Sequence, residues 1–405
     1  MSDIDNLMIG RRVRAARLRV GLAQKDLAAA VGRSLAWVEK VEGNRLAVTD
    51  LRMLYALADA LSTEAAYLLG VPYLPRRRAD DAGHRLIPAI ERVVLGYDLP
   101  GDSPPRPMDD LRADLLAASR LRLASRNLEL AEMLPRLLED LQHAANSLDG
   151  AKQEEAFWLL AMGYQTARRL AHRLRFTELT ALLVERMAWA AERAGDPLLA
   201  IQHAWERADL LLLTGNPDVA RRICVLALDR LEDTLGHAQP QAWEVWGALQ
   251  LRAAVAAARV NRAQEANDHV REATKAARRV GVGNNAYQMV FGTFNVAVHR
   301  VAVPVELGQG ALAVRLAHHV RPAQAPSRER YVHHLTDLAR GYHQIGSRDR
   351  AIETLLEADR LAPSQVRNYP PARHLVGAML DRSRTLPEGL RTLCRRMELL
   401  APSRT

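Results

Sequence analysis

Apolar residues recur along most of the chain at spacings of three and four, the period of an α-helix with one buried face. A clear early example is "DLRMLYALADAL" (50–61), in which Leu51, Leu54, Leu57 and Leu61 share one face. Long runs of β-branched residues, which are typical of strands, are scarce, whereas Ala, Leu and Arg are abundant. Because these are strong helix formers, we predict an all-α protein.

The first 70 residues predict five short helices. They lie at about Leu7–Arg19, Gln24–Val31, Ser34–Glu42, the segment 51–61, and "TEAAYLLG" (63–70), which ends at a glycine. Asp50 or Thr49 is suited to cap the fourth helix. Two proline-containing breaks follow, "VPYLPRRRADDAG" (71–83) and "GYDLPGDSPPRPMDD" (96–110), with a possible short helix between them that could pack on either side. We expect one domain at 1–72, a linker with a short helix at 73–108, and a second domain at 109–405.

The second domain shows a repeat. Candidate first helices of pairs begin near Ala156, Leu198, Gln241, Asn285 and Arg328, at intervals of 42 to 44 residues. The segment "LTDLARGYHQIGSRDRAIETLLEADRLAP" (335–363) has the alternation of small and large residues of a tetratricopeptide unit. A single irregular helical domain is the alternative. The regular spacing favours an α-solenoid of tetratricopeptide-like helix pairs, whose first helices line the concave face.

Composition adds a clue about partners. The 405 residues carry a formal net charge of +9, but residues 1–78 hold 13 Lys or Arg against 8 Asp or Glu, a net charge of +5. The other 327 residues hold 43 against 39, a net charge of +4. A compact basic unit suits the phosphate backbone of a nucleic acid. The alternative is an Arg-rich composition with a solvated basic face.

Other functions have little support. Two cysteines exclude a disulfide framework and a cysteine-based zinc finger, and no apolar run is long enough to span a membrane. No signal peptide, nucleotide-binding loop or hydrolase motif is present. We therefore expect a cytoplasmic protein that is not an enzyme and that uses no metal or cofactor.

The segment "GLAQKDLAAAVGRSLAWVEKVEGNR" (21–45) carries the most specific motif. Two short helices are joined at Gly32, with Leu27 and Val31 on the inner face of one and Val38 and Val41 on that of the other. This pattern, with the Leu-rich helix after it, resembles the XRE-type helix-turn-helix family of phage repressors. The resemblance covers about 65 residues and implies a five-helix domain that binds double-stranded DNA.

The resemblance also implies which residues contact DNA: Gln24, Lys25, Arg33, Ser34, Leu35, Ala36, Lys40 and Arg45. Ser34 is suited to cap the recognition helix, whose Leu35 and Ala36 can meet thymine methyl groups while Lys40 can reach guanine. Trp37 stands where the family has Ser or Thr and either packs inward, which we favour, or wedges against the backbone. Glu42 matches a position that is more often structural.

A polar stripe interrupts the apolar segment "NNAYQMVFGTFNVAVHRVAV" (284–303). Gln288, Phe291, Asn295 and His299 are spaced to share one face if the segment is helical. Amide and imidazole groups on the inner face of a solenoid could bind a ligand, since they offer both donors and acceptors. The alternative is a buried polar ladder that joins neighbouring helices.

The plan as a whole resembles actinobacterial XRE regulators with a C-terminal tetratricopeptide-like domain, related in architecture to peptide-sensing quorum regulators. That resemblance implies a DNA-binding transcriptional regulator that forms a homodimer, chiefly through residues after 110. Its repeats would sense a short peptide or a small-molecule signal. The alternative is a protein-interaction scaffold whose DNA binding is incidental or lost.

Overall fold

The computed structural model describes residues 9–19, 22–46, 48, 50–61, 63, 68, 78–99, 104–174, 176–232, 235, 240–280, 285, 287–381, 385–397 and 399. These ranges form helices and turns and contain no strand. The all-α prediction is therefore confirmed. Of the predicted fifth helix (63–70), only Thr63 and Leu68 lie within the described residues.

Twenty α-helices occur in the described part of the chain. In chain order they are α1 (Ile9–Arg19), α2 (Gln24–Ala30), α3 (Leu35–Glu42), α4 (Leu51–Ala60), α5 (Arg78–Leu95), α6 (Met108–Leu123), α7 (Asn127–Ser147), α8 (Gly150–Leu174), α9 (Thr177–Ala191), α10 (Pro197–Leu213), α11 (Pro217–Glu232), α12 (Pro240–Arg259), α13 (Ala263–Val280), α14 (Thr293–Glu306), α15 (Gly310–Ala317), α16 (Arg328–Gln344), α17 (Arg348–Leu361), α18 (Pro363–Asn368), α19 (Pro370–Asp381) and α20 (Glu388–Arg396).

Helices α1 to α4 form an N-terminal unit with its own core. Val13, Leu27, Val38 and Leu54 are fully buried within it. The predicted caps are present: the Ser34 hydroxyl accepts from the Trp37 amide, and the Asp50 carboxylate accepts from the Arg52 amide. These contacts satisfy amide groups that a helix leaves open at its first turn, so both helix starts are fixed by local chemistry.

Helix α5 belongs to the repeat region. Its residues Ile87, Ile90 and Val94 are buried in the same core as α7 to α12. Side chains from that core also bond its C-terminal turn, where Gln142 donates to the Val93 carbonyl at 3.0 Å and Arg186 to the Val94 carbonyl at 3.2 Å. The segment expected to be a linker with a short helix thus carries an 18-residue helix that packs towards the C-terminal side.

From α8 onward the helices form tetratricopeptide-like pairs: α8–α9, α10–α11, α12–α13, α14–α15 and α16–α17. The starts of α10, α12 and α16 agree with the predicted positions to within one residue, whereas α8 begins six residues before Ala156. In the predicted unit at 335–363, Ala351, Leu355 and Ala358 are fully buried. Gly346 makes the turn at φ 79°, in the left-handed region that glycine favours.

The prediction of a helix from Asn285 is wrong. Helix α14 begins at Thr293, and the described residues before it form an irregular strap that spans 285–292. Asn285, Gln288 and Val290 adopt positive φ angles there, which a continuous helix does not allow. Gln288, Phe291, Asn295 and His299 therefore do not share one helix face.

The strap packs against a glycine in the middle of α12. A Cβ atom built on Gly247 would lie 1.9 Å from Cζ of Phe291. We predict that Gly247→Ala forces the ring from its buried site and lowers the free energy of unfolding by ~1–3 kcal/mol, the usual cost of overpacking a core. Chemical denaturation measures this change.

Gly377, within α19, is the matched control because a Cβ built there meets nothing within 4 Å. Gly377→Ala should be neutral or stabilising by up to ~1 kcal/mol, as alanine is favoured inside helices. Equal effects of the two substitutions would contradict the tight packing of Phe291 on Gly247.

Candidate functional sites

A cavity of about 370 Å³ lies on the inner face of the repeat region. Its walls come mainly from the first helix of each pair, as predicted for a concave solenoid surface. These helices contribute Arg168, Arg169, His172 and Arg173 (α8), Trp205 and Asp209 (α10), Arg252, Val255 and Arg259 (α12), Val298, His299 and Glu306 (α14), and Glu329, Arg330, His333, His334 and Asp337 (α16).

Ion pairs between distant helices close the cavity. Arg173 of α8 contacts Glu329 of α16 at 2.5 Å, and Arg122 of α6 contacts the same carboxylate at 3.5 Å. Nearby, the Asn127 amide donates to the Ser364 hydroxyl at 3.2 Å. Residues about 150 to 240 positions apart thus meet. Helices at the two ends of the repeat region therefore face each other, and the concave surface between them forms a partly open chamber.

A second ion network forms the wall made by α8 and α10. Glu206 is fully buried and contacts Arg168 at 2.5 Å and Arg169 at 3.0 Å. Asp209 contacts Arg168 at 2.9 Å and Arg252 at 2.8 Å. The surrounding guanidinium groups hold the pKa of Asp209 well below its usual range despite its burial. Asp209 is therefore ionised, and both carboxylates pair with arginines of neighbouring helices.

Aromatic and imidazole groups line the same chamber. The ring of Trp205 lies between two guanidinium groups, whose central carbons are 5.0 Å (Arg169) and 4.1 Å (Arg252) from its centroid. Burial lowers the pKa of His299 to about 3 and those of His333 and His334 to about 4. These imidazoles are neutral near pH 7 and can both donate and accept hydrogen bonds.

The N-terminal unit contributes to the cavity through α4. Leu54 and Tyr55 are among its lining residues. The Tyr55 hydroxyl donates to the carbonyl of Leu212 at 3.2 Å and lies 3.4 Å from that of Leu213, at the end of α10. A Cβ built on Gly215 would lie 2.5 Å from the Tyr55 ring, so only glycine lets the ring approach this closely.

The residues predicted to bind a ligand have different surroundings from one another. Of Gln288, Phe291, Asn295 and His299, only His299 lines the cavity. The Gln288 side chain accepts from the Thr166 hydroxyl at 3.3 Å, Phe291 is buried on Gly247, and the Asn295 backbone carbonyl lies 2.8 Å from Nδ1 of His299. The first two residues therefore have the contacts of a structural core, in line with the alternative of a buried polar ladder.

The residues predicted to contact DNA lie together around α3. Lys25, Arg33, Ser34, Leu35, Ala36, Lys40 and Arg45 are all exposed. Gln24 is half-buried and its amide donates to Glu42 at 2.8 Å, while Arg17 holds the same carboxylate at 2.6 and 3.0 Å. Trp37 packs partly against the core of the unit, as favoured from the sequence, and the guanidinium carbon of Arg33 lies 5.7 Å from its ring centroid.

The charged groups of the chamber were not predicted from the sequence. The run "ARRLAHRL" (167–174) places Arg169 and Arg173 four residues apart, and Arg330 and His333 lie three residues apart on α16. Residues at either spacing share one face of a helix. Such spacing is also typical of a solvated helix face. The only signal in the sequence was their position on the first helix of a pair, which is the helix that lines a concave surface.

Two further classes of site are absent from the described residues. No three or more His, Cys, Asp or Glu side chains there are grouped so that they could hold a metal ion. Among the helices that the structure describes, none combines the length and the apolar character needed to cross a membrane.

Comparison with known proteins gives distant likenesses in structure only. No protein-family model matches the chain, and no match was found among curated proteins. The crystal structure of BtubC (BKLC) from P. vanneervenii is 16% identical and aligns with 69% of this chain and 95% of its own, with a TM-score of 0.33. The tetratricopeptide domain of P58(IPK) is 12% identical and aligns with 96% of this chain and 97% of its own, with a TM-score of 0.17. Function is therefore inferred from the geometry of this chain alone.

The buried imidazole of His334 makes stability depend on pH. Burial lowers its pKa from 6.5 to about 4, so between these values the unfolded chain binds a proton that the folded chain does not. Folding should therefore lose ~1.4 kcal/mol per pH unit from this group as the pH falls through that window. We predict that His334→Gln flattens the fall in stability between about pH 6.5 and 4.

The measurement is the slope of the free energy of unfolding against pH. The absolute value is not compared, because glutamine changes the packing at every pH. His319→Gln is the control, since His319 is exposed. If both variants keep the slope of the parent, His334 is not held neutral by burial.

Proposed function

We propose that this protein is a ligand-responsive DNA-binding transcriptional regulator. Helix α3 of the N-terminal unit enters the major groove, and the chamber of the repeat region binds a signal. The protein acts as a homodimer, assembled chiefly through residues after 110, on two half-sites. The observation that carries the proposal is the cavity itself, because one chamber is lined both by the repeat helices and by α4 of the N-terminal unit.

The exposed face of α3 supports DNA binding. Lys40 is exposed near the end of the helix, Leu35 at its start is 45% exposed, and Lys25 and Arg33 flank them. An exposed leucine beside cations is unfavourable in water but suits a groove floor with thymine methyl groups. The Glu42 carboxylate, held by Arg17 and Gln24, fixes α3 to α1 and α2. A rigid helix loses little entropy on docking.

The Leu212 carbonyl supports coupling between the two parts. It accepts from the Tyr55 hydroxyl of α4 and also from Arg259, which contacts Glu306 at 3.4 Å in the chamber wall. A ligand that re-orients Arg259 therefore changes the contact that holds α4. This gives a physical route from the chamber wall to α4 of the N-terminal unit.

A protein-interaction scaffold is the second candidate. The stacked helix pairs favour it, since such arrays present concave surfaces to partners. The chamber favours the regulator instead, because its volume of about 370 Å³ lies in the range of small-ligand pockets. A scaffold would bind partner proteins and retain DNA only weakly and without sequence preference.

The DNA interface is tested on genomic fragments selected by the purified protein. Lys40→Ala should relax the preference at one or two base pairs, by ~1–3 kcal/mol for each lost base contact. Arg33→Ala should weaken binding to all sequences alike and reduce the salt dependence by about one phosphate contact.

Arg350→Ala is the control, since Arg350 is exposed on α17 far along the chain from α3. It should bind the selected fragments as the parent does. If Lys40→Ala and Arg33→Ala also bind like the parent, α3 does not lie in the groove. If no fragment is enriched at all, the regulator proposal fails and the scaffold remains.

The Tyr55 contact gives a second test. Tyr55→Phe removes the donor to the Leu212 carbonyl and should lower the free energy of unfolding by ~0.5–1.5 kcal/mol. Hydrogen exchange of the α4 amides should rise, because the unit loses a bond to the repeat region. Tyr342→Phe is the matched control, since the Tyr342 hydroxyl has no hydrogen-bond partner among the described residues. Unchanged exchange in Tyr55→Phe would remove the proposed coupling route.

A further inference from the structure

The chamber and the residues paired with its walls hold more positive than negative charge. The guanidinium groups are those of Arg122, Arg168, Arg169, Arg173, Arg252, Arg259, Arg330 and Arg340. The carboxylates are those of Glu206, Asp209, Glu306, Glu329 and Asp337. Eight cations against five anions leave a formal excess of three positive charges. Burial also raises the pKa of Asp337 to about 6, which reduces its share of negative charge.

Arg330 is the cation of this set that forms no ion pair, although the nearby charge of Glu329 attracts it. Its guanidinium lines the cavity, yet it makes no ion pair or side-chain hydrogen bond with any residue that the structure describes. The neighbouring carboxylate of Glu329 is already held by Arg173 and Arg122. Burial lowers the pKa of Arg330 to about 10, so the group remains charged near pH 7.

Several polar groups in and around the wall have no hydrogen-bond partner among the described residues. The Nε–H groups of Arg168, Arg169, Arg252 and Arg259 are buried and have no acceptor within the described part of the chain. A buried donor without an acceptor costs ~1–3 kcal/mol, and an isolated buried charge costs more. The neutral imidazoles of His299 and His333 each add one donor and one acceptor without charge. Because Oε1 of Gln365, another lining residue, is also buried without a donor, the wall has unpaired groups of both kinds, and its imbalance is one of charge.

We propose that the chamber binds a small anionic ligand whose carboxylate or phosphate group is held by Arg330. This inference rests on the proposed function and narrows its signal to one chemical class. Arginine suits the task because its planar fork binds either oxyanion through two parallel hydrogen bonds. Val255, Val298 and the edge of Trp205 give an apolar wall for the rest of the molecule. The chamber is too small to enclose a folded partner.

Two anions test the inference in separate arms. Inorganic pyrophosphate presents the phosphate chemistry and citrate the carboxylate chemistry, both at constant ionic strength set with sodium chloride. Binding is measured by calorimetry and by the midpoint of thermal unfolding. At least one anion should bind the parent, and Arg330→Gln should weaken that binding tenfold or more. Arg330→Lys keeps the charge but loses the planar fork, so its affinity for the anion should lie between those of the parent and of Arg330→Gln.

Arg328→Gln is the matched control, because Arg328 begins the same helix and is exposed. It should bind the anion as the parent does, and so should Lys40→Ala, which removes a cation from α3. Thermal unfolding without added anion checks that Arg330→Gln is folded, and the loss of a half-buried cation that forms no ion pair should leave its midpoint unchanged or higher.

The inference is overturned if neither anion binds, if Arg330→Gln binds as tightly as the parent, or if Lys40→Ala abolishes the effect. Its failure is distinct from failure of the proposed function. A protein that retains selected DNA fragments but ignores both anions is still a regulator with another signal. A protein that binds an anion through Arg330 and retains no DNA is a sensor of another kind, and then only the DNA-binding proposal fails.

Discussion

Shared carboxylates on the inner face set the geometry of the repeat region. Glu206 of α10 is held by two arginines of α8, Glu306 of α14 lies between Arg259 and Arg340, and Glu329 of α16 joins α8 and α6. Each group is costly to bury alone, and removing one partner of a buried pair typically costs ~3–5 kcal/mol. Helices that share a carboxylate are thus held together by ion pairs as well as by apolar packing.

This arrangement explains why the inner face of the solenoid forms a chamber. Apolar packing between neighbouring pairs would allow an open curve, because each pair needs only its nearest neighbours. The contact of Glu329 with Arg173 and Arg122 instead joins helices far apart in the chain. Charges interact more strongly in the wall of such a cavity than they do in water. An unbalanced cation therefore matters more here than it would in an open groove.

The helix pairs could be predicted from the sequence, and the chamber could not. Pairs are encoded locally, by apolar residues at helical spacing and by breaks such as Gly346, whose positive φ needs no distant contact. The strap at 285–292 depends on Gly247 in another helix, which leaves room for Phe291, and no pattern within the strap itself shows this. Helical spacing continued through it, so the polar stripe appeared to be one face.

The inward position of the charged residues of the chamber could not be predicted from the sequence either. Arg169, Arg173 and Arg330 have the spacing of an ordinary solvated face, and only the closure of the solenoid turns that face inward. In the N-terminal unit, the helix caps and the inner apolar faces could be predicted from the sequence, because they depend on residues close together in the chain. The Glu42 contacts with Arg17 and Gln24 agree with a structural role inferred for this residue by resemblance.

The strength of any signal passed to α4 is limited by the contact that carries it. Ligand binding and DNA binding can be coupled only by a difference in free energy between two arrangements of the shared atoms. Here the shared atom is the Leu212 carbonyl oxygen, which accepts from both Tyr55 and Arg259. One hydrogen bond is worth ~0.5–1.5 kcal/mol, or about a two- to tenfold change in affinity. A larger response would need the ligand to displace Leu54 and Tyr55 from the chamber wall altogether, so that apolar burial adds to the hydrogen bond.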